Sequence, residues 1–253
     1  MVVTEPARLG PTRVPALLRY PTGGPTRALV VCIQGGGDAY DKQHTIRALP
    51  LDSTPFLRAY VDLPLHGERL VPDFRERYRR DPVHEFYQHA ILGMAEELAG
   101  VIDDLLQRWP GLTGLGVYGW SIGGMAGLLG ALLEKRVQAV AAIAPPTNPE
   151  HLDRRYPWDE QAPALKPVFD LVAQAEEFYP TAVLLLHGLE DTWVLPESTE
   201  LLYRALLPHY RERPERLAWR AYPGMAHDLS DGPPEIVEKV RHAIAAWFTR
   251  FLD

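Results

Sequence analysis

The stretch Leu115-Gly116-Val117-Tyr118-Gly119-Trp120-Ser121-Ile122-Gly123-Gly124 constrains the fold more tightly than any other part of the chain. Its apolar start reads as a buried strand, which ends at a serine with a glycine two positions to either side. The residues that follow, Met125 to Leu133, are almost all Ala, Leu or Gly and read as a helix. A strand that reverses into a helix through one residue holds that residue in a strained backbone conformation, and only very small neighbours leave room for the turn. The first free N–H groups of the helix then lie beneath the serine, with the positive end of the helix dipole facing its oxygen. A serine placed this way can act as a nucleophile. Gly-x-Ser-x-Gly alone also occurs in plain glycine-rich loops, so the strand before it and the helix after it carry the argument.

A serine hydroxyl needs a base, and the base needs an orienting carboxylate. Downstream, Ala182-Val183-Leu184-Leu185-Leu186-His187-Gly188-Leu189-Glu190-Asp191 reads as a buried strand followed by an acid-bearing turn. Further on, Trp219-Arg220-Ala221-Tyr222-Pro223-Gly224-Met225-Ala226-His227-Asp228 reads as a strand and a loop that carries a histidine. The candidate triad is Ser121, Asp191 and His227, each placed just beyond a strand. Glu190 is the rival acid. Asp228 reads as a loop or helix-capping residue, His187 as a structural residue at a strand end, and His209 and His242 as surface residues.

At Gly119-Trp120-Ser121-Ile122-Gly123, His187-Gly188-Leu189-Glu190-Asp191 and Gly224-Met225-Ala226-His227 the chain resembles α/β-hydrolase fold serine hydrolases, of the small bacterial esterase type. The resemblance runs from about Ala28 to Phe251. It implies the order nucleophile, acid, base, with Asp191 matching the Gly-x-x-Asp pattern, and a nucleophile elbow at Ser121. It also implies an oxyanion hole made by the backbone N–H of Ile122 and one from the loop after the third strand. That loop is Gln34-Gly35-Gly36-Gly37, following Ala28-Leu29-Val30-Val31-Cys32-Ile33. Gly36 is the expected donor, with Gly35 as the alternative. Gln34 stands where the family commonly has histidine; it can brace the loop but cannot titrate near neutrality. Leu63-Pro64-Leu65-His66-Gly67 with Asp62 resembles the family's Asp-x-Pro-x-His-Gly turn, which makes Asp62 and His66 structural.

The strand and helix order is an N-terminal strand or hairpin near 14–20, strands at 29–34 and 57–62, a helix at 84–108, a strand at 115–119 and a helix at 122–133. Strands at 137–143, 182–187 and 217–222 follow, with helices at 197–207 and 234–251. Apolar strands alternating with helices predict an α/β fold, a mostly parallel twisted sheet covered by helices on both faces. Functional loops then gather at the C-terminal ends of the strands. The whole chain, 1–253, reads as a single domain with a short cap. Two insertions, about 70–85 and 145–180, are the candidate cap segments. The first is rich in arginine (Arg75, Arg77, Arg79 and Arg80) and reads as a solvated face, with a site for a phosphate or carboxylate group of the substrate as the alternative. The second supplies Tyr156 and Trp158, which with Gln34 and Trp120 are expected to border the substrate pocket, the alternative for the aromatic residues of this segment being that they anchor it to the core.

The chain has 253 residues, enough for one well-filled core, and a formal charge of −7, which speaks against a nucleic-acid or anionic-membrane surface. No run approaches the roughly 20 apolar residues of a membrane span. The N-terminus carries no apolar export core, and the lone Cys32 lies within a strand, so a cytoplasmic location is expected. No metal-ligand cluster is legible and no cofactor is called for. The expected activity is hydrolysis of small soluble carboxylic esters. Thioesterase, peptidase, perhydrolase or lyase chemistry at the same serine remains open, as does a catalytically inactive ligand-binding protein. The oligomeric state is left open.

Overall fold

The structure, a computed structural model, describes residues 1–37, 40–149 and 156–252. Its centre is one eight-stranded sheet in the order β1-β2-β4-β3-β5-β6-β7-β8. The strands are β1 (Val2–Leu9), β2 (Val14–Pro21), β3 (Ala28–Ile33), β4 (Leu57–Val61), β5 (Gly114–Trp120), β6 (Ala139–Ile143), β7 (Ala182–Gly188) and β8 (Leu217–Tyr222). β1 and β2 pair antiparallel, as do β2 and β4; every pairing from β4 through β8 is parallel. This is the expected α/β-hydrolase fold.

Two short helices, α1 (Lys42–Ala48) and α2 (Phe74–Arg80), stand where the sequence suggests loop; α1 buries Lys42, Thr45 and Ala48, two of them polar, and α2 buries Phe74, so neither shows an apolar period. Side chains alternate across a strand, so each central strand feeds two cores. Val31, Ile33 and Val117 join one cluster with Leu98, Val101, Leu128 and Leu202. Val30, Cys32 and Tyr118 join a second with Val240, Ile244 and Phe248. Helices α3 (Gly93–Arg108), α4 (Ile122–Leu133) and α5 (Pro196–Leu206) cover the first face, and the C-terminal helix α6 (Pro234–Leu252) the second. Continuous burial of β3 through β7 follows from this double cover.

Two further elements differ from the sequence-based expectation. β1 lacks an apolar run because it is half wet: its residues alternate between partial burial and exposure along most of its length. The helix expected over 84–108 exists but changes winding. Val83–Leu92 is a π-helix, which runs on into α3 through Gly93, whose N–H reaches back to the Gln88 carbonyl.

The two predicted insertions meet. Gln161 donates to the Arg80 carbonyl at 3.2 Å and accepts from the Val83 N–H at 3.3 Å. The hydroxyls of Tyr78 and Tyr156 lie 3.2 Å apart. Together the insertions wall a cavity at the C-terminal edge of the sheet. Among the described residues no helix is long and apolar enough to cross a membrane.

Candidate active site

Ser121 directly follows β5 with φ 55° and ψ −125°, a region that non-glycine residues rarely occupy. Its own N–H donates to Ile143 on the neighbouring β6 at 2.8 Å, and its carbonyl accepts from Met125 at 3.0 Å to open α4. The glycines of the motif are explained by close approach. A Cβ on Gly119 would stand 2.1 Å from the Gly123 carbonyl oxygen, and one on Gly123 would stand 1.9 Å from that of Gln34. Ser121 occupies the N-cap position of α4, yet its side chain does not cap the helix. The hydroxyl instead lies 3.0 Å from His227 Nε2.

His227 and Asp191 reach this hydroxyl because β7 and β8 are adjacent, which brings their C-terminal loops together. His227 Nδ1 donates to Asp191 Oδ2 at 2.7 Å. Asp191 is buried, and its Oδ1 accepts backbone N–H groups from Trp193 at 2.8 Å and Val194 at 3.0 Å. Burial alone would raise its pKa. Hydrogen bonds from His187 and His227, the His227 charge and the Trp193 N–H outweigh that and hold the carboxyl well below the usual carboxylate range. Glu190 stays outside this arrangement. Its carboxylate accepts the Gly224 N–H at 2.6 Å and ties the acid loop to the histidine loop. The three candidate groups thus form one hydrogen-bonded line from carboxylate to imidazole to alcohol, the arrangement that makes a serine nucleophilic.

The histidine loop is braced on its far side. The Trp120 indole N–H donates to the His227 carbonyl at 2.8 Å. Asp228 caps the turn Leu229–Asp231 through the Ser230 N–H and lies 3.3 Å from His44 Nε2. Burial raises the pKa of Asp228, but the hydrogen bonds from His44 and Ser230 bring it down to about 2. The capping expectation for Asp228 therefore fits the geometry, although it is less solvated than a plain loop residue. His209 and His242 are exposed, away from the line. His187 is fully buried and bonded to Asp191 itself, a connection that sequence reasoning missed.

The loop after β3 lies beside Ser121 because β3 pairs with β5. Gly36 and Ile122 both border the cavity, as a two-donor oxyanion site requires. Gly35 does not border it. A Cβ there would stand 2.4 Å from the Trp120 ring, so Gly35 is a packing glycine.

Of the four expected pocket residues only Tyr156 lines the cavity. Gln34 is buried and donates to the Tyr40 carbonyl at 3.0 Å, which makes it a brace and not a wall. Trp120 points to the α6 side of the sheet, beneath Gly35 and His227. Trp158 is buried against Tyr87 and Phe169. Trp158→Ala is therefore expected to lower stability by about 3–5 kcal/mol, as large buried truncations do, while acyl-chain selectivity stays constant. Thermal melting beside an ester panel checks this; unchanged melting with altered selectivity would contradict the packing role.

The cavity of about 740 Å³ has walls that the sequence did not reveal. Phe74 and Tyr78 of α2 and Phe86 of the π-helix line it beside Tyr156, with ring contacts running Phe74–Tyr78–Phe86–Tyr156. Of the arginines in the first insertion, Arg75 and Arg79 line it as well, whereas Arg77 pairs with Glu85 at 2.8 Å. Asp62 and His66 stay out of the cavity lining. Asp62 holds Lys42 through its Nζ at 2.5 Å and its N–H at 2.9 Å, and His66 bonds the Pro64 carbonyl at 2.9 Å.

The sequence model of the prolyl oligopeptidase family matches residues 106–253, more than half of the chain, and that span holds Ser121, Asp191 and His227. The chain belongs to the prolyl oligopeptidase family. Like the other members it is a serine hydrolase of α/β-hydrolase fold. Among solved structures, this prolyl oligopeptidase family member is similar to TT1662 of Thermus thermophilus, with a TM-score of 0.78 and 27% identity over 98% of each chain. It is also similar to an esterase of Pyrococcus furiosus, with a TM-score of 0.69 and 14% identity, covering 100% of this chain and 92% of that one. An acylaminoacyl peptidase of Pyrococcus horikoshii aligns over 100% of this chain but only 42% of its own length, with a TM-score of 0.70 and 14% identity. The last two likenesses show the shared fold alone. No curated protein sequence matches the chain.

Proposed function

We propose that this serine hydrolase cleaves carboxylic esters with compact apolar or aryl acyl groups, through an acyl-enzyme on Ser121. The observation that carries the reading is that the Ser121–His227–Asp191 line opens, at Ser121 and His227, into a cavity that Phe74, Tyr78, Phe86 and Tyr156 wall along with Ile122. Rings select by shape and apolarity, which suits an acyl chain.

Ser121 Oγ attacks the ester carbonyl as its proton passes to His227 Nε2. Asp191 holds the ring through Nδ1–H and supports the imidazolium that forms. The backbone N–H groups of Ile122 and Gly36 receive the oxyanion, each such donor contributing about 3–4 kcal/mol at the transition state. The C–O bond to the alcohol breaks as His227 returns the proton to the leaving oxygen. Water then attacks the acyl-enzyme, with His227 again taking the proton, and the carboxylic acid leaves.

A peptidase reading is the second candidate, favoured by the family match and by Glu190, Asp228 and Asp231 on the cavity wall, which suit a cationic peptide group. p-Nitrophenyl esters of graded acyl length, assayed beside p-nitroanilides of acylated and free-amino dipeptides, separate the two. Ester turnover with no anilide cleavage above background is expected. Anilide cleavage at an equal or higher kcat/KM would replace the ester reading with the peptidase one.

A further inference from the structure

Asp191 serves two imidazoles. Its Oδ2 accepts from His227 Nδ1 at 2.7 Å and also faces His187 Nε2 at 3.1 Å. We infer that His187 is a positioning residue of the hydrolytic site, a second histidine that grips the acid of the triad from behind with a proton of fixed direction. The inference rests on the hydrolase reading above and goes beyond it.

The proton directions follow from the partners. The other neighbour of His187 Nε2 is the Val194 carbonyl at 2.9 Å. A carboxylate and a carbonyl are both acceptors, so Nε2 carries the hydrogen whatever the charge of the ring. In the neutral ring Nδ1 is then an acceptor, and the Thr199 hydroxyl, 2.6 Å away, donates to it. The chain of donors runs Thr199 to His187 to Asp191, met from the other side by Ser121 to His227 to Asp191. Among the described residues the carboxylate takes four N–H donors, from His227, His187, Trp193 and Val194. Those bonds restrain the carboxylate in the orientation that holds His227.

The support is buried at each step. His187 and Thr199 are both 0% exposed. Thr199 stands in the first turn of α5, beside Ser198. The Thr147 hydroxyl donates to the Ser198 carbonyl at 2.5 Å, and the Thr147 N–H donates to the Ser198 hydroxyl at 3.1 Å. The acid is thus held by its own loop, by α5 and, through α5, by the root of the 145–180 segment. His187 does not line the cavity, so its loss should act on the reacting groups and leave substrate binding alone.

Gln and Met have nearly the same length and shape, and only Gln can donate an N–H to Asp191. His187→Met is expected to lower kcat for a p-nitrophenyl ester about 10²-fold, the usual cost of a misplaced catalytic group, with KM within about 2-fold. His187→Gln is expected to recover most of that loss. Equal kcat in wild type and a folded Met variant, or equal losses in the Met and Gln variants, would overturn the inference. Should the Met variant fail to fold, long-range 1H–15N correlation on the wild type decides instead: His187 must show the Nε2–H tautomer, and the Nδ1–H tautomer would overturn it. Wild-type turnover in the same assay keeps the two claims apart, because an inert wild type would defeat the hydrolase reading itself.

Discussion

Ser121→Ala is expected to lower kcat for ester hydrolysis about 10⁶-fold, the loss seen when a triad nucleophile is removed alone, while thermal melting changes little. Two features produce the size of the effect. In the proposed mechanism the hydroxyl forms the covalent bond, so nothing replaces it. The strained conformation at Ser121 is imposed by the turn and by its contacts to Ile143 and Met125, not by the side chain, so alanine inherits the backbone. Residual activity, about 10³ to 10⁴ over water, would come from Ile122, Gly36 and substrate binding. A variant retaining more than a few per cent of wild-type kcat would mean that another group attacks the ester.

Asp191→Asn comes next in magnitude, with kcat expected to fall about 10⁴-fold. The amide keeps the shape but loses the charge. Its N–H₂ also faces imidazole N–H groups that both need an acceptor, so either His227 adopts the wrong tautomer or the contact opens. Glu190→Gln, one residue away, is the control: its carboxylate braces the Gly224 N–H and touches no member of the relay, so kcat should stay within about 3-fold. Asp191 also makes a pH statement. Its folded pKa is depressed, so its stabilisation is fully present above the ordinary Asp value of about 3.9 and is lost as pH falls below that. Acid unfolding followed by circular dichroism should therefore be less steep in Asp191→Asn than in wild type below about pH 4.

What the sequence revealed about this site was local or ordered along the chain. The elbow was legible because Gly119 and Gly123 are required by contacts within a few residues and with the loop that leaves the adjacent β3. Asp191 and His227 were legible because each follows a recognisable strand, and strand adjacency then brings the loops together. The pocket was not legible, because its walls come from segments that meet only in three dimensions. Trp158 and Tyr156 are close in the insertion, yet one packs behind Tyr87 and the other faces the cavity. Trp120 adjoins the nucleophile in sequence, but strand alternation sends its ring to the opposite face of the sheet. Phe74 and Tyr78 sit on a short arginine-rich helix where the sequence suggests loop, and Phe86, although inside the helix expected over 84–108, lies on a stretch wound as a π-helix whose exposed side faces the cavity only once the insertions meet. His187 had a faint signal, a polar residue at the end of an otherwise apolar β7 and four residues before the acid, which reads as structural until Thr199 and Val194 are seen around it.

The convergence of Ser121, His227 and Asp191 is tested most directly by treating the folded protein with a fluorophosphonate and mapping the modified peptide by mass spectrometry. Phosphonylation at stoichiometric level on Ser121 alone, abolished by prior unfolding, is the expected result. A folded protein that takes up no probe, or carries it on a different serine, would contradict the relay.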